Sequence, residues 1–279
     1  MTPSCMLHKL AVALLLTPAA LAQTARPAYV PILTFDVASI RESPKADWYS
    51  VSSTNPSHNS KFTATNLDLP NLLNAAFGVP RYKIEGIPDC CVRTMFNVQA
   101  KSDPAADDHL ATLNDQDALI EKQHMVQALL IERMKLTFHW ESRELPALAL
   151  VVQKSGPKFH EGEPLPLDPE KPWMSRPLYQ QGDGRRGYEF FAHGASMQSL
   201  AEMLGGQFGK DVVDRTGLTG HYTFTLQYRG TEEDYTNTDP KIWPPIPRAL
   251  REQLGLTLDP IKASLRILVI DHLEMPSDN

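Results

Sequence analysis

The chain has 279 residues, 42% hydrophobic and 22% charged, with a formal net charge of −6 at pH 7. That length suits one large core or two modest ones, at about 100–200 residues per domain. The mild acidity and scattered basic residues exclude the electrostatic footprint of a nucleic-acid or anionic-membrane binder.

Residues 1–22 read as a signal peptide. His8 and Lys9 form a polar start, and the apolar run at 10–16 is too short for a spanning helix, which needs about 20 residues. Pro18 breaks that run, and Ala20-Leu21-Ala22 supplies a small-x-small cleavage pattern, so export to the periplasm or medium with cleavage near Ala22 is expected. No later stretch is long and apolar enough for a membrane-spanning helix. Outside this leader the only cysteines are the neighbours Cys90 and Cys91, which allow a strained vicinal disulfide, a bond to another chain, or half-buried thiols.

The mature chain divides into an α+β unit with an N-terminal strand at 23–154, a Pro/Gly-rich connector at 155–188, and a second α+β unit at 189–279 with a loop insertion at 230–247. The first strand is Phe35-Asp36-Val37-Ala38-Ser39-Ile40, followed by a polar loop at 50–60. An internal repeat then organises the rest. Lys61-Phe62-Thr63-Ala64 leads into a helix with Leu69, Leu72, Leu73 and Ala76 on one face. Glu189-Phe190-Phe191-Ala192 leads likewise into Met197, Leu200, Ala201 and Leu204. Ser196 is expected to N-cap the second helix, and Phe77-Gly78 and Phe208-Gly209 end the two with a left-handed glycine.

After each helix come two strand patterns. They are Tyr82-Lys83-Ile84 and Met95-Phe96-Asn97-Val98 in the first unit, and Val212-Val213 and Tyr222-Thr223-Phe224-Thr225-Leu226 in the second. A second helix, at 126–134 or 249–254, then precedes Leu136-Thr137-Phe138 with 148–152, or Leu256-Thr257-Leu258 with 265–270. The expected fold is therefore α+β: two tandem β-α-β-β-α-β-β units from an internal duplication, with small mixed sheets and helices packed on one face.

The arrangements that chemistry needs are missing. No Gly-x-Ser-x-Gly elbow or strand-linked phosphate loop occurs. Glu121 and His124 lie one helical turn apart without a further ligand, which reads as a solvated helix face rather than a zinc site. Asp103, Asp107, Asp108 and His109 suggest a loose cation site at most, so no metal or cofactor is expected. Arg185 and Arg186, in the connector, could contact an anion. Cys90 and Cys91 lack the Cys-x-x-Cys spacing of thiol oxidoreductases. The candidate catalytic group, were the protein an enzyme, is Asp214, Arg215, His193 and His221, which flank the Thr216-Gly217-Leu218-Thr219-Gly220 turn.

Several segments carry a family resemblance: Phe35-Asp36-Val37-Ala38-Ser39-Ile40, Ser155-Gly156-Pro157-Lys158, 213–220, Gln253-Leu254-Gly255-Leu256 and Val269-Ile270-Asp271-His272. On these the mature chain resembles the exported, functionally uncharacterised soil-associated proteins expanded in acidobacteria. Cys90-Cys91 departs from the tryptophan that family tends to carry there. Each unit also resembles the short N-terminal module of secretins and TonB-dependent signalling receptors, which implies protein binding outside the cytoplasm. The expectation is an exported, non-enzymatic module that binds a protein or peptide through an edge strand or the connector. An exported hydrolase-type enzyme with loop-borne acid/base residues and a small-ligand sensor are the rivals.

Overall fold

The computed structural model describes residues 30–44, 52–54, 58–163, 178–182, 187–229 and 243–276. The expected leader, Arg185, Arg186 and most of the 230–247 insertion lie outside the described residues. The fold is a mixed α+β arrangement of three four-stranded sheets with helices packed on them.

The first sheet has the order β1-β5-β3-β2, from Val37–Glu42 (β1), Ser52–Thr54 (β2), Phe62–Asp68 (β3) and Met95–Lys101 (β5). Alternation along β3 and β5 turns Phe62, Ala64, Phe96, Val98 and Ala100 inward. They meet α1 (Leu69–Phe77) and α4 (Asp115–Met134), with α2 (Asp89–Val92) and α3 (Pro104–Thr112) alongside in the chain. Strand β3 passes directly into α1 because Asp68 caps it, accepting from the Asn71 amide at 2.9 Å. Gly78 closes α1 at φ 66°, as the sequence requires.

The third sheet has the order β7-β11-β9-β8, from His160–Glu161 (β7), Leu178–Gly182 (β8), Tyr188–Ala195 (β9) and Tyr222–Tyr228 (β11). It packs on α5 (Met197–Phe208), capped by the Ser196 hydroxyl at 3.1 Å and ended by Gly209, and on α6 (Ile246–Ala249) with the π-helical turn Leu250–Leu254 behind it. Strands β7 and β8 come from the stretch expected to be an exposed connector. Phe159 explains the difference: it packs edge-on against Tyr222, 5.2 Å between ring centres, and draws the chain onto the sheet.

The middle sheet joins the two units. Two strand pairs were expected where the chain makes two long strands, β6 (Thr137–Val152) and β12 (Leu256–His272), antiparallel from Leu256 opposite Val152 to His272 opposite Thr137. Pro146 and Pro260 lie within these strands, and both are tolerated. The Leu148 amide reaches the Asp211 carbonyl at 2.9 Å, away from β12. Alternation then turns the nitrogens of Pro146 and of Pro260, which lies opposite Leu148, to the outer edges, where no ladder donor is needed.

Flanking strands cross between units. Ile84–Glu85 (β4), from the first, runs parallel beside β12, and Val212–Asp214 (β10), from the second, runs parallel beside β6. One end of the ribbon lends Leu268 and Ile270 to the first core; the other lends Leu150 and Leu256 to the second. The ion pair of Lys83 with Asp211, 2.5 Å, adds a further tie between units.

A shared ribbon makes the two cores one cooperative unit. Leu268→Ala and Leu150→Ala, both at fully buried positions, are expected to cost about 2–5 kcal/mol each. Each should shift a single urea transition seen identically by probes in either core. Two separable transitions, each sensitive to only one substitution, would show independent units.

Candidate functional site

The outer face of the first sheet is largely polar because the odd-numbered residues of β1, Asn97, Gln99 and Lys101 of β5, and the odd-numbered residues at the start of β3 point away from the core. Register sets Val37 opposite Lys101, Ser39 opposite Gln99, and Thr63 opposite Gln99. Continued by one residue, it sets Lys61 opposite Lys101. Together they line a shallow depression of about 340 Å³ with walls from Val37, Lys61, Thr63, Gln99 and Lys101. Strand β1 is an edge: among the described residues no strand pairs with its outer side. The Ser43 amide donates to Met95 O at 2.7 Å, so odd positions of β1 bond to β5 and the amides of Ala38, Ile40 and Glu42 face outward.

An extended strap, residues 30–36, leads into β1 with its side chains alternating outward and inward. Its backbone is gripped by side chains. The Glu121 carboxylate accepts from the amides of Ile32 (2.8 Å) and Leu33 (2.6 Å), and the Ser102 hydroxyl donates to Thr34 O (2.7 Å). Asp36 accepts from the Asp103 amide at 2.8 Å. Val30 and Ile32 point out of the strap, 73% and 68% exposed, and Val37, after the alternation shifts at Asp36, is 74% exposed.

Beneath the strap, Lys122 is fully buried. Its ammonium donates to Asn59 O (2.8 Å) and Lys61 O (3.2 Å) and sits 5.4 Å from the Phe35 ring centre. Burial pulls its pKa down to about 8, opposed by the Asp107 charge. Lys122 thus fixes the backbone from which β3, and the Lys61 side chain, begin.

Glu121 is therefore not on the solvated helix face that the sequence suggested. It is fully buried, made possible by the two amides it accepts. Asp103 caps α3 through the Ala106 amide, and Asp107 accepts from the Ser60 amide, with its pKa lowered by its hydrogen bonds with Ser60 and by the charges of Lys101 and Lys122. Among the described residues no three His, Cys, Asp or Glu side chains converge as a metal site.

The four residues of the enzyme reading fall in two sheets. Asp214, on β10, accepts from both the Thr216 amide (2.9 Å) and hydroxyl (2.8 Å), which is turn geometry. His221 bonds the Gly194 carbonyl at 3.0 Å, at the β9–β11 bulge that also holds His193. No hydrogen bond or ion pair joins Asp214 or Arg215 to either histidine among the described residues. Cys91 is a buried thiol 3.6 Å from the Met275 sulfur; the Cys90 side chain and Arg185 and Arg186 lie outside what is described.

A charge network the sequence did not suggest crosses the middle sheet. His139 bonds Asp271 (2.8 Å) and Glu141 (3.0 Å), and Arg143 bonds Glu141 (2.6 Å) and Glu85 (2.8 Å). Asp271, then Glu141, raise the His139 pKa. The network zips β6, β12 and β4 on an open surface. No helix among the described residues is long and apolar enough to cross a membrane.

In comparisons, a family model described as "Protein of unknown function (DUF3738)" matches residues 70–273. No curated protein and no solved structure matches the chain. Gln99 and Lys101 fall within the matched stretch, while the strap, β1, Lys61 and Thr63 precede it.

The Lys122 environment has a testable pH signature. The buried amine releases its proton near pH 8 against an ordinary 10.5, so between those values the unfolded chain binds more protons and stability gains as pH rises. Across that window the wild type is expected to gain on the order of 3 kcal/mol relative to Lys122→Met. Urea unfolding of both proteins along a pH series measures it; parallel profiles would remove the depressed pKa.

Proposed function

The chain belongs to the DUF3738 family of proteins of unknown function, and from that premise we propose that it is an exported, non-catalytic binding protein. Its partner is a protein or peptide outside the cytoplasm, added as a further strand to β1. One observation carries this reading: β1 is a six-residue edge with outward amides, with Val37 exposed on it and Val30 and Ile32 exposed on the strap before it. Strand addition uses those backbone groups for affinity and alternate side chains for specificity. Val30, Ile32 and Val37 are the most exposed of the large apolar side chains described, at 68–74% against at most 46% for the others.

Other features support the same reading. The strap is pinned by Glu121 and Ser102, so β1 is presented in fixed geometry rather than ordered on binding. The strands at the other sheet edges are shorter, with two residues in β4 and β7, three in β2 and β10, and five in β8, and the longer open sides of β6 and β12 are each interrupted by an outward-facing proline, Pro146 and Pro260. The resemblance of each unit to the periplasmic secretin and TonB-receptor module agrees, as does the leader-like start. The equal strand order of the first and third sheets, with reciprocal β4–β12 and β10–β6 pairing, supports an origin by internal duplication.

Affinity capture from an extracytoplasmic extract, with residues 23–279 as bait, tests it. Ala38→Pro removes an outward amide while leaving the β5 ladder intact. That bait is expected to lose a reproducible partner that an exposed control, Leu119→Ala, retains. A partner kept undiminished by the proline bait, or hydrolase activity abolished by Asp214→Asn, would overturn the proposal.

A further inference from the structure

We infer that the peptide added to β1 is acidic, its carboxylate held by Lys101, with the charge of Lys61 behind it, on the outer face of the first sheet; this rests on the edge-strand reading above. The two lysines face each other across neighbouring strands, both exposed, in a row that begins at Val37 on the edge. Like charges directly opposite destabilise a sheet, whereas on the middle sheet Arg143 is paired with Glu85 and Glu141; the Asp107 charge acts on Lys101 without an ion-pair contact. Neither Lys61 nor Lys101 has an ion-pair partner among the described residues. On a chain of net charge −6, the outward positions of β1, β3 and β5 carry no carboxylate.

The depression matches one anionic group. Lys61 and Lys101 supply charge, the Thr63 hydroxyl and Gln99 amide supply neutral donors, and Val37 forms an apolar rim. A strand beyond β1 lies about 10 Å from β5, at about 4.8 Å per strand. A glutamate on it and Lys101 reaching over Val37 together span that gap, while Lys61, one strand further at about 14 Å, adds its charge from behind. A peptide alone uses every feature present: backbone amides of the edge, an apolar contact to Val37, and a carboxylate at Lys101. A polyanionic glycan or lipid surface leaves the first two unused.

The test uses fluorescent extended peptides of alternating Val and Thr carrying Glu, Gln or Lys at one outward position, with binding to residues 23–279 read by anisotropy. The Glu peptide is expected to bind about tenfold tighter than the Gln peptide, with the advantage lost at high salt and in Lys101→Gln and reduced in Lys61→Gln. Ala38→Pro is expected to abolish binding of both. Lys61→Glu is expected to raise the melting temperature, by relieving the like-charge pair, and to shift preference to the Lys peptide. Equal binding of Glu and Gln peptides would overturn the acidic preference while leaving the edge reading standing. Binding of dextran sulfate or anionic vesicles through these lysines, with neither peptide bound, would overturn both.

Discussion

The antiparallel pairing of β6 with β12 is the constraint on which the rest depends. Each strand comes from a different unit, and each unit's core is completed by one end of the resulting ribbon. Neither core is closed without the other unit's strand: Leu268 and Ile270 lie in the first, beside Phe138 and Trp140, although they are last in the chain. The prolines fit because the ribbon's centre is only two strands wide. Its outer edges need no donor there, and the flanking strands add hydrogen bonds only toward the ends. Aromatic contacts reinforce the first end, where Phe77 meets Phe138 edge-on at 4.6 Å and Arg266 lies 4.3 Å from the Trp140 ring.

Among the described residues the first and third sheets are four-stranded layers with open edges. The first sheet differs from the third in how its edge is presented. Glu121, Lys122 and Ser102 are buried polar groups whose whole hydrogen-bonding purpose, in the bonds described, is to hold backbone: that of the strap and that of residues 59–61. Burying a carboxylate and an ammonium on one helix is costly unless both are satisfied. That expense gives no packing advantage that leucine would not give. It fixes the approach to β1 and the start of β3, the two places that frame the lysine pair.

Much of the fold was legible in the sequence, and the reasons are local. Phe-Gly helix ends, Ser196 as a cap, and the helical spacing of Leu69, Leu72, Leu73 and Ala76 each act within a few residues, so each reads correctly. The long ribbon was not legible, since Pro146 and Pro260 break a strand only if their nitrogens face a ladder, which tertiary pairing decides. The connector strands were hidden for the same reason: nothing local to 155–163 announces that Phe159 will find Tyr222. The site was missed through a charge prior. Yet the stripe Ala118, Met125, Val126, Leu129 and Leu130 runs, at spacings of three and four, straight through positions 121 and 122. Charged residues on the buried stripe of an amphipathic helix conflict with the pattern around them, and such conflicts concentrate at functional or strained sites.

The same logic separates the two groups of charges on this surface. The His139, Asp271, Glu141, Arg143 and Glu85 network alternates in sign across three strands, so each member lowers the energy of the next; it reads as a fastener for the ribbon. Lys61 and Lys101 do the reverse. They are placed opposite each other with no ion-pair contact among the described residues, on a sheet whose inner face already specifies the register through Phe62, Ala64, Val98 and Ala100. The Asp107 charge acts on Lys101 from a distance, so part of the repulsion between the lysines is offset within the chain. On the proposed reading, a carboxylate arriving on a fifth strand beside β1 offsets the rest.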